Sequence, residues 1–385
     1  MMALARYKRL FGFITHVMIT GLILEIVKYR SSVSVTSIFS QAVNIFILFI
    51  VSYFTYNLVE SLYFYETLCT KNKAVLITGC DTGFGHAAAK RLDSKGFHVF
   101  ASCLFPDGKG ACDLKNNCSE RLKILELDVR KDDSVKNALD FVKENLGTLE
   151  FWAIVNNAGI QKGFDVDLTS MDDFKDTLEV NTFGPIRVTK AFLPLLKKAK
   201  GRIVNIVSIS GRFSTPYCTP YIMSKFATSA FTECLKQEME VWGVEVISVE
   251  PEMFYTQLTD RDAFVKRMEE SLSSLDADKR LEYGENYLNS FKTFAEFIIN
   301  FASRKTYIVT DCIEEAVITR HPKTVYRPFR NILFKVVVHI LISTPKPVQD
   351  LVSRLYLMIN FFPKPNAARL RLCCENNING FNKVK

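Results

Sequence analysis

The sequence predicts an α/β fold, a doubly wound parallel sheet, with apolar segments ahead of it and a basic, partly apolar tail behind it. Three observations predict this. A short apolar strand, Ala74 to Ile77, runs into a glycine turn and then a helix start. From Lys73 onward strand-like and helix-like runs alternate, which calls for crossover connections and a parallel sheet. Charge is unevenly placed: residues 1–72 carry +3 and residues 320–385 carry +10 of a total of +8, leaving about −5 between them.

The chain has 385 residues, enough for one large domain with appendages. We divide it into membrane-anchoring segments at 1–72, a catalytic domain at 73–330 and a membrane-associated basic tail at 331–385. Leu10 to Val27 and Ala42 to Val59 each approach the length that spans a bilayer. The first is followed by Lys28, Tyr29 and Arg30 rather than a small-residue cleavage site, so it reads as an anchor, not a signal peptide. Interfacial helices are the alternative for both stretches. A basic tail on an acidic globule suggests an anionic membrane surface rather than a nucleic-acid groove, with a solvated basic tail as the alternative. The ten cysteines form no CxxC pair and no ligand-spaced set with histidine, which points to free thiols and no metal site.

The elements follow in order. Strand one gives way at Thr78-Gly79 to a turn holding Gly83 and Gly85, which opens a helix through Ala87 to Leu92. Glycines there let backbone approach a pyrophosphate, and the helix start offers free N–H groups, so the unit reads as a dinucleotide cradle, Rossmann-like in kind, with a plain strand–helix connection as the alternative. Strands two to six are expected at His98 to Cys103, Leu122 to Asp128, Phe151 to Asn156, Arg202 to Ser208 and Val244 to Val249. Helices are expected at Ser134 to Leu146, capped by Ser134, at Phe174 to Leu196 with a break near Gly184-Pro185, and at Tyr221 to Trp242. After Pro251, residues 252–300 are rich in Met, Phe and Tyr, and read either as a lid over a lipophilic substrate or as core of a helical subdomain. Asn331 to Ser343 and Leu351 to Phe362 read as interfacial segments.

Tyr221 and Lys225 stand four residues apart at a helix start and so share one face. A free phenol, with a pKa of about 10, is a poor base near neutrality. A nearby ammonium favours the phenolate and makes proton transfer with a hydroxyl feasible. Ser208, at the end of strand five, can meet the same oxygen.

Together, Thr78-Gly79-x-x-x-Gly83-x-Gly85, Asn156-Asn157-Ala158-Gly159, Asn181 and Ser208…Tyr221-x-x-x-Lys225 resemble the short-chain dehydrogenase/reductase family over residues 73–330. Thr78 to Gly85, Leu127-Asp-Val129, Phe192 to Leu196 and Gly211-Arg212 are similar to its animal branch with retinol dehydrogenases, type 2 17β-hydroxysteroid dehydrogenase and mitochondrial 3-hydroxybutyrate dehydrogenase. The resemblance implies that Tyr221 is the general acid/base and that Lys225 lowers its pKa and binds the nicotinamide ribose. It implies that Ser208 holds the substrate oxygen and that Asn181 supports a proton-relay water. It also implies that Gly79, Gly83, Phe84 and Gly85 shape the cofactor turn, that Asp128 meets adenine, that Asn156 lines the cofactor and that Thr256 contacts the carboxamide. Gln161 resembles a substrate-holding glutamine.

Two departures stand out. The family's Pro-Gly after strand six is Pro251-Glu252, and restoring glycine at 252 is expected to preserve or raise activity. No acid ends strand two; Asp107 is a late substitute. With no cation placed for a 2′-phosphate, NAD is favoured and NADP is the alternative. The expected function is membrane-bound oxidation or reduction of a lipophilic alcohol or ketone, steroid- or retinoid-like. The alternative is a 3-hydroxybutyrate-type reaction, for which Arg212 or Lys162 would anchor the carboxylate. Expected partners are the small substrate and membrane lipids, with a homodimer compatible and no nucleic acid. The expected location is the endoplasmic reticulum membrane, with a mitochondrial membrane as alternative.

Overall fold

The computed structural model describes residues 14–22, 44, 47–48, 51–52, 55, 66–273 and 275–360. The described residues fall into two compact units. One takes in those up to Cys69 together with Ile318–Lys323; within it Thr67 bridges Thr319 and the Leu68 N–H donates to the Ile318 carbonyl at 2.8 Å. The expected spans, Leu10 to Val27 and Ala42 to Val59, lie mostly outside the described residues. Residues 14–22 are helical, and among the described residues no helix is long and apolar enough to cross a membrane.

The other unit is a seven-stranded sheet in the order β3-β2-β1-β4-β5-β6-β7, parallel throughout. Its strands are β1 Lys73–Ile77, β2 His98–Cys103, β3 Leu122–Glu126, β4 Glu150–Asn156, β5 Arg202–Ile206, β6 Glu245–Val249 and β7 Val325–Tyr326. The central strands are buried almost end to end, as a sheet covered on both faces requires. The order reverses at β1, which lies between β2 and β4. Such a reversal opens a crevice at the carboxyl ends of the strands, where ligands bind in this architecture.

Sequence and structure differ at several boundaries. β3 stops at Glu126 and β5 at Ile206, each two residues early: the Leu127 and Val207 N–H groups make a last bond to the Cys103 and Val249 carbonyls at 3.0 and 2.8 Å, and the chain then lines the crevice at Asp128 and Ser208. β7 is only two residues long, too short for periodicity to show. Ser134 caps nothing: helix α3 begins at Asp132, and the Ser134 hydroxyl instead accepts from the Asp128 N–H at 2.9 Å.

The helices are α1 Gly83–Ser94, α2 Lys109–Asn117, α3 Asp132–Leu146, α4 Met171–Leu178, α5 Gly184–Ala199 and α6 Thr219–Met239. After β6 come α7 Arg261–Ser273, α8 Ala277–Tyr283, α9 Glu285–Phe301, α10 Tyr307–Ile318, α11 Ile332–Ser343 and α12 Lys346–Asn360. Between α4 and α5 lies a π-helical turn, Glu179–Phe183, at the break expected near Gly184-Pro185. A side chain at Gly184 would press 2.7 Å from Val129, so the chain must pass there without one. The main core joins sheet and helices through Leu76, Phe100, Ile154, Val188, Phe192, Leu196 and Leu235, with Phe151 and Phe192 stacked at 5.3 Å. A second core holds Phe164, Phe264, Met268, Tyr287 and Phe291. It takes up part of the aromatic segment after Pro251, while Met253, Phe254, Phe264 and Ile299 also reach the crevice.

Candidate active site

The crevice is a cavity of about 1180 Å³, larger than the few hundred to a thousand Å³ of a usual ligand pocket. One end is the turn after β1. Gly79 and Gly83 have φ of +70° and +63°, open to glycine at little cost. A Cβ on Gly79 would lie 2.9 Å from the Ala158 backbone, and one on Gly85 would lie 2.4 Å from both Asn157 Nδ2 and the Gly79 carbonyl. Gly79, Gly83 and Phe84 line the cavity; Gly85 supports the turn from behind. Helix α1 starts at Gly83 with no side-chain cap, so its first N–H groups are left for a ligand.

The loop after β4 is stitched to this turn. Thr78 Oγ1 accepts from the N–H groups of Asn157 and Ala158 at 2.9 and 3.0 Å, and Asn157 Nδ2 donates to the Thr78 and Gly79 carbonyls. Asn156 does not line the cavity. It is buried and donates to Thr189 Oγ1 and Asn205 Oδ1, because strand alternation turns it away and brings Asn157 to the wall. Asp128 lines the cavity, with its carboxylate gripped by Arg130 at 2.9 and 2.8 Å and held below the usual carboxylate range mainly by that bond. Thr256 lines it too, and its N–H donates to Thr259 Oγ1 at 2.8 Å at the short turn Gln257–Thr259.

Ser208, Tyr221 and Lys225 meet on the same wall. Ser208 Oγ accepts from the Ser210 N–H at 3.1 Å and donates to the Pro251 carbonyl at 3.4 Å. Lys225 Nζ donates to the Ile206 carbonyl at 3.0 Å and sits 5.6 Å from the centre of the Tyr221 ring. Burial pushes the Tyr221 phenol up to about 12 against a lowering by the Ser208 hydroxyl, and pushes Lys225 down to about 8. The expected lowering of the phenol by Lys225 is therefore not the dominant effect here; desolvation of both groups is.

Asn181 stands off the cavity on the π-helical turn. Its Oδ1 accepts from the Ile160 N–H at 2.8 Å, while its Nδ2 donates to the Ile160 carbonyl and to Ser224 Oγ. Ser224 in turn donates to the Tyr221 carbonyl at 2.6 Å. Asn181 thus ties the loop before Gln161 to the turn that carries Tyr221. Gln161 lines the cavity and donates to Cys218 Sγ at 3.5 Å.

Some lining residues had no place in the sequence reading. Tyr217 has a φ of +65°, rare for a bulky residue, and its ring packs edge-on to Phe291 at 5.4 Å. Phe334, Val338 and Leu341 of α11 and Val352 of α12 close the far end. Asp81 lines the near end, an acid among the glycines of the turn after β1. Glu252 is buried against Arg330, which donates to it through Nε at 2.9 Å, Nη2 at 2.7 Å and its backbone N–H.

These positions match a short chain dehydrogenase family model over residues 73–264. Mouse estradiol 17-beta-dehydrogenase 2 is 36% identical over 80% of this chain and 79% of its own length. Rat mitochondrial D-beta-hydroxybutyrate dehydrogenase is 41% identical over 66% of this chain and 76% of its own, and human retinol dehydrogenase 16 is 38% identical over 66% and 80%. A Burkholderia phymatum short chain dehydrogenase/reductase, solved in complex with NAD, shares the fold at a TM-score of 0.58 and 20% identity, over 70% of this chain and 92% of that one. The glycine cradle, the Ser208, Tyr221 and Lys225 wall and these likenesses together show that the chain belongs to the short-chain dehydrogenase family, oxidoreductases that act on hydroxyl groups with NAD or NADP.

Proposed function

We propose that this chain interconverts a lipophilic secondary alcohol and its ketone, steroid- or retinoid-like, at a membrane surface with NAD. The observation that carries the reading is the make-up of the cavity's far end. Phe164, Phe264, Ile299, Phe301, Phe334, Val338 and Leu341 give it an apolar wall, and α11 and α12 expose further apolar side chains outward. An apolar wall favours a ligand that leaves water with most of its surface. The outward faces suit the interfacial contact expected of the tail. We place the protein in the endoplasmic reticulum membrane.

The cradle fits a dinucleotide: the start of α1 would hold its phosphates, and Thr256, Lys225 and Tyr221 would line its nicotinamide half. Bound there, the nicotinamide ring supplies the hydride acceptor or donor. The chain's own groups do the rest. The Ser208 hydroxyl holds the substrate oxygen beside Tyr221. Tyr221 takes the hydroxyl proton in oxidation and returns it in reduction. Lys225 keeps positive charge close to the phenolate when it forms. Asn181 holds the Ile160 loop and the start of α6 in register.

One observation favours a 3-hydroxybutyrate-type reaction. Arg267 lines the cavity and donates to the Leu258 carbonyl at 2.6 Å, a cation that a carboxylate would meet. The anchors expected from sequence are spent: Arg212 on Glu250 and Glu233, and Lys162 on Asp176. The deciding experiment follows NADH formation from a steroid, a retinol and 3-hydroxybutyrate by the full-length protein in lipid vesicles. Turnover of the small hydroxy acid alone would overturn the lipophilic reading.

A further inference from the structure

In a doubly wound sheet, the carboxyl end of the strand beside the glycine turn passes the adenosine ribose, and an acid there holds the 2′-hydroxyl. Here that strand is β2, and it ends in Cys103 followed by Leu104. Asp107 does not take up the role. Its side chain is 98% exposed, faces Lys115 at 3.9 Å and is not on the cavity wall. Asp81, from the turn after the neighbouring strand β1, is on that wall. Its Oδ2 accepts from the Leu104 N–H at 2.9 Å and its Oδ1 from the Phe105 N–H at 3.0 Å. We infer that Asp81 selects NAD against NADP by filling, with its own carboxylate, the pair of backbone N–H groups that a 2′-phosphate would need.

Successive backbone N–H groups form an anion-binding concavity. In this chain the anion is built in. Each carboxylate oxygen keeps a further lone-pair site, so a ribose 2′-hydroxyl can donate to it. A 2′-phosphate brings a charge of about −1.5 to −2 and three acceptor oxygens, so it meets like charge with neither backbone N–H left to it. The arrangement is rigid: a Cβ on Gly110, at the start of α2, would fall 1.9 Å from the Asp81 carbonyl, so α2 is pressed against this turn. Lys109, beside Gly110, lines the same end and is the cation a phosphate would use once Asp81 is neutral.

The inference rests on the dehydrogenase reading, and calorimetric binding of NAD and NADP to the full-length protein tests both. Wild type should bind NAD at least tenfold more tightly than NADP. Asp81→Asn keeps one acceptor oxygen and loses the charge; it should narrow that ratio at least tenfold, mainly by tighter NADP binding. Adding Lys109→Met should cancel the gain. Equal binding of both dinucleotides by wild type overturns the inference without any variant and leaves the dehydrogenase reading standing. An Asp81→Asn ratio within threefold of wild type also overturns it. Binding of neither dinucleotide overturns both readings.

Discussion

At the near end of the cavity, polar atoms are held by partners on the same sheet edge, Thr78 by Asn157 and Ala158 and Asp81 by Leu104 and Phe105, and just behind the wall Asn181 is held by Ile160 and Ser224. At the far end the wall is apolar and comes mostly from helices after Pro251, fastened at two points. Glu250, fully buried, receives Arg212 and Arg327; burial raises its carboxyl, and the two guanidiniums more than offset this. Glu252 receives Arg330, whose guanidinium also lies 4.3 Å from the Phe301 ring centre and 4.7 Å from that of Phe334. The near end is preorganised atom by atom, so chemistry there should fail abruptly when one atom is removed. The far end can change its side chains while keeping its fastenings, so specificity should change there by degrees.

The sharpest test of the first half is Tyr221→Phe. It removes the proton-carrying oxygen and leaves the ring among its neighbours. Turnover should fall by about 10²–10⁴-fold, while NAD affinity measured by calorimetry stays within threefold. More than a tenth of wild-type turnover would mean that the proton leaves by another route.

Glu252→Gly probes the fastening, and here the structure reverses the sequence-based expectation of unchanged or higher activity. Glycine would leave the Arg330 guanidinium half-buried without its carboxylate. Removing one partner of a buried ion pair costs about 3–5 kcal/mol. Thermal unfolding should move down by several degrees and activity should fall with it. The double variant Glu252→Gly with Arg330→Met should recover most of the unfolding temperature, because an unpaired charge is worse than no pair. A single variant as stable as wild type would show that Arg330 finds other acceptors, the Phe301 carbonyl among them.

What was legible in the sequence follows the same division. The glycine turn, each strand of the alternation and Tyr221 with Lys225 are local patterns, each written within a dozen residues, and they place the near end. Asn156 went astray by one residue, because a strand's two faces alternate and positions 156 and 157 are both asparagine. Arg330 could not be paired with Glu252 from sequence, since 78 residues separate them. Nor could α11 be placed over the cavity: its apolar run reads alike for a core helix, a lid and an interfacial segment.

The pH profile compares two groups on the near wall. With the phenol at about 12, nearly all Tyr221 is protonated at neutral pH, so the base form needed for oxidation is scarce. kcat/KM for oxidation should therefore rise about tenfold per pH unit from pH 6 upward. With Lys225 at about 8, its charge is lost as pH passes that value, the phenolate loses support and the rise should bend. Reduction uses the phenol as acid and should stay flat up to the bend. Lys225→Met should give a slower enzyme with no bend near pH 8. A wild-type oxidation profile flat from pH 6 to 8 would mean that the proton step does not limit kcat/KM.

The smallest effect belongs to the outer face of the far end. Helix α11 turns Phe334, Val338 and Leu341 to the cavity, yet Leu333 and Ile340 remain 71% and 59% exposed. On α12, Val348, Leu351, Val352 and Leu355 recur at helical spacing and are also exposed. A helix apolar on both sides has one side to spare for lipid, where burying a leucine-sized group is worth about 1.5–3 kcal/mol. Leu333→Glu with Ile340→Glu should leave the cavity wall untouched and weaken contact with anionic vesicles. The KM for a substrate delivered from the bilayer should then rise several-fold, with kcat and NAD affinity unchanged. A water-soluble alcohol substrate should show no such rise, because it does not enter through lipid. An equal rise for both kinds of substrate would mean that the two glutamates deform the cavity itself, and that the outer face of α11 has no part in delivery.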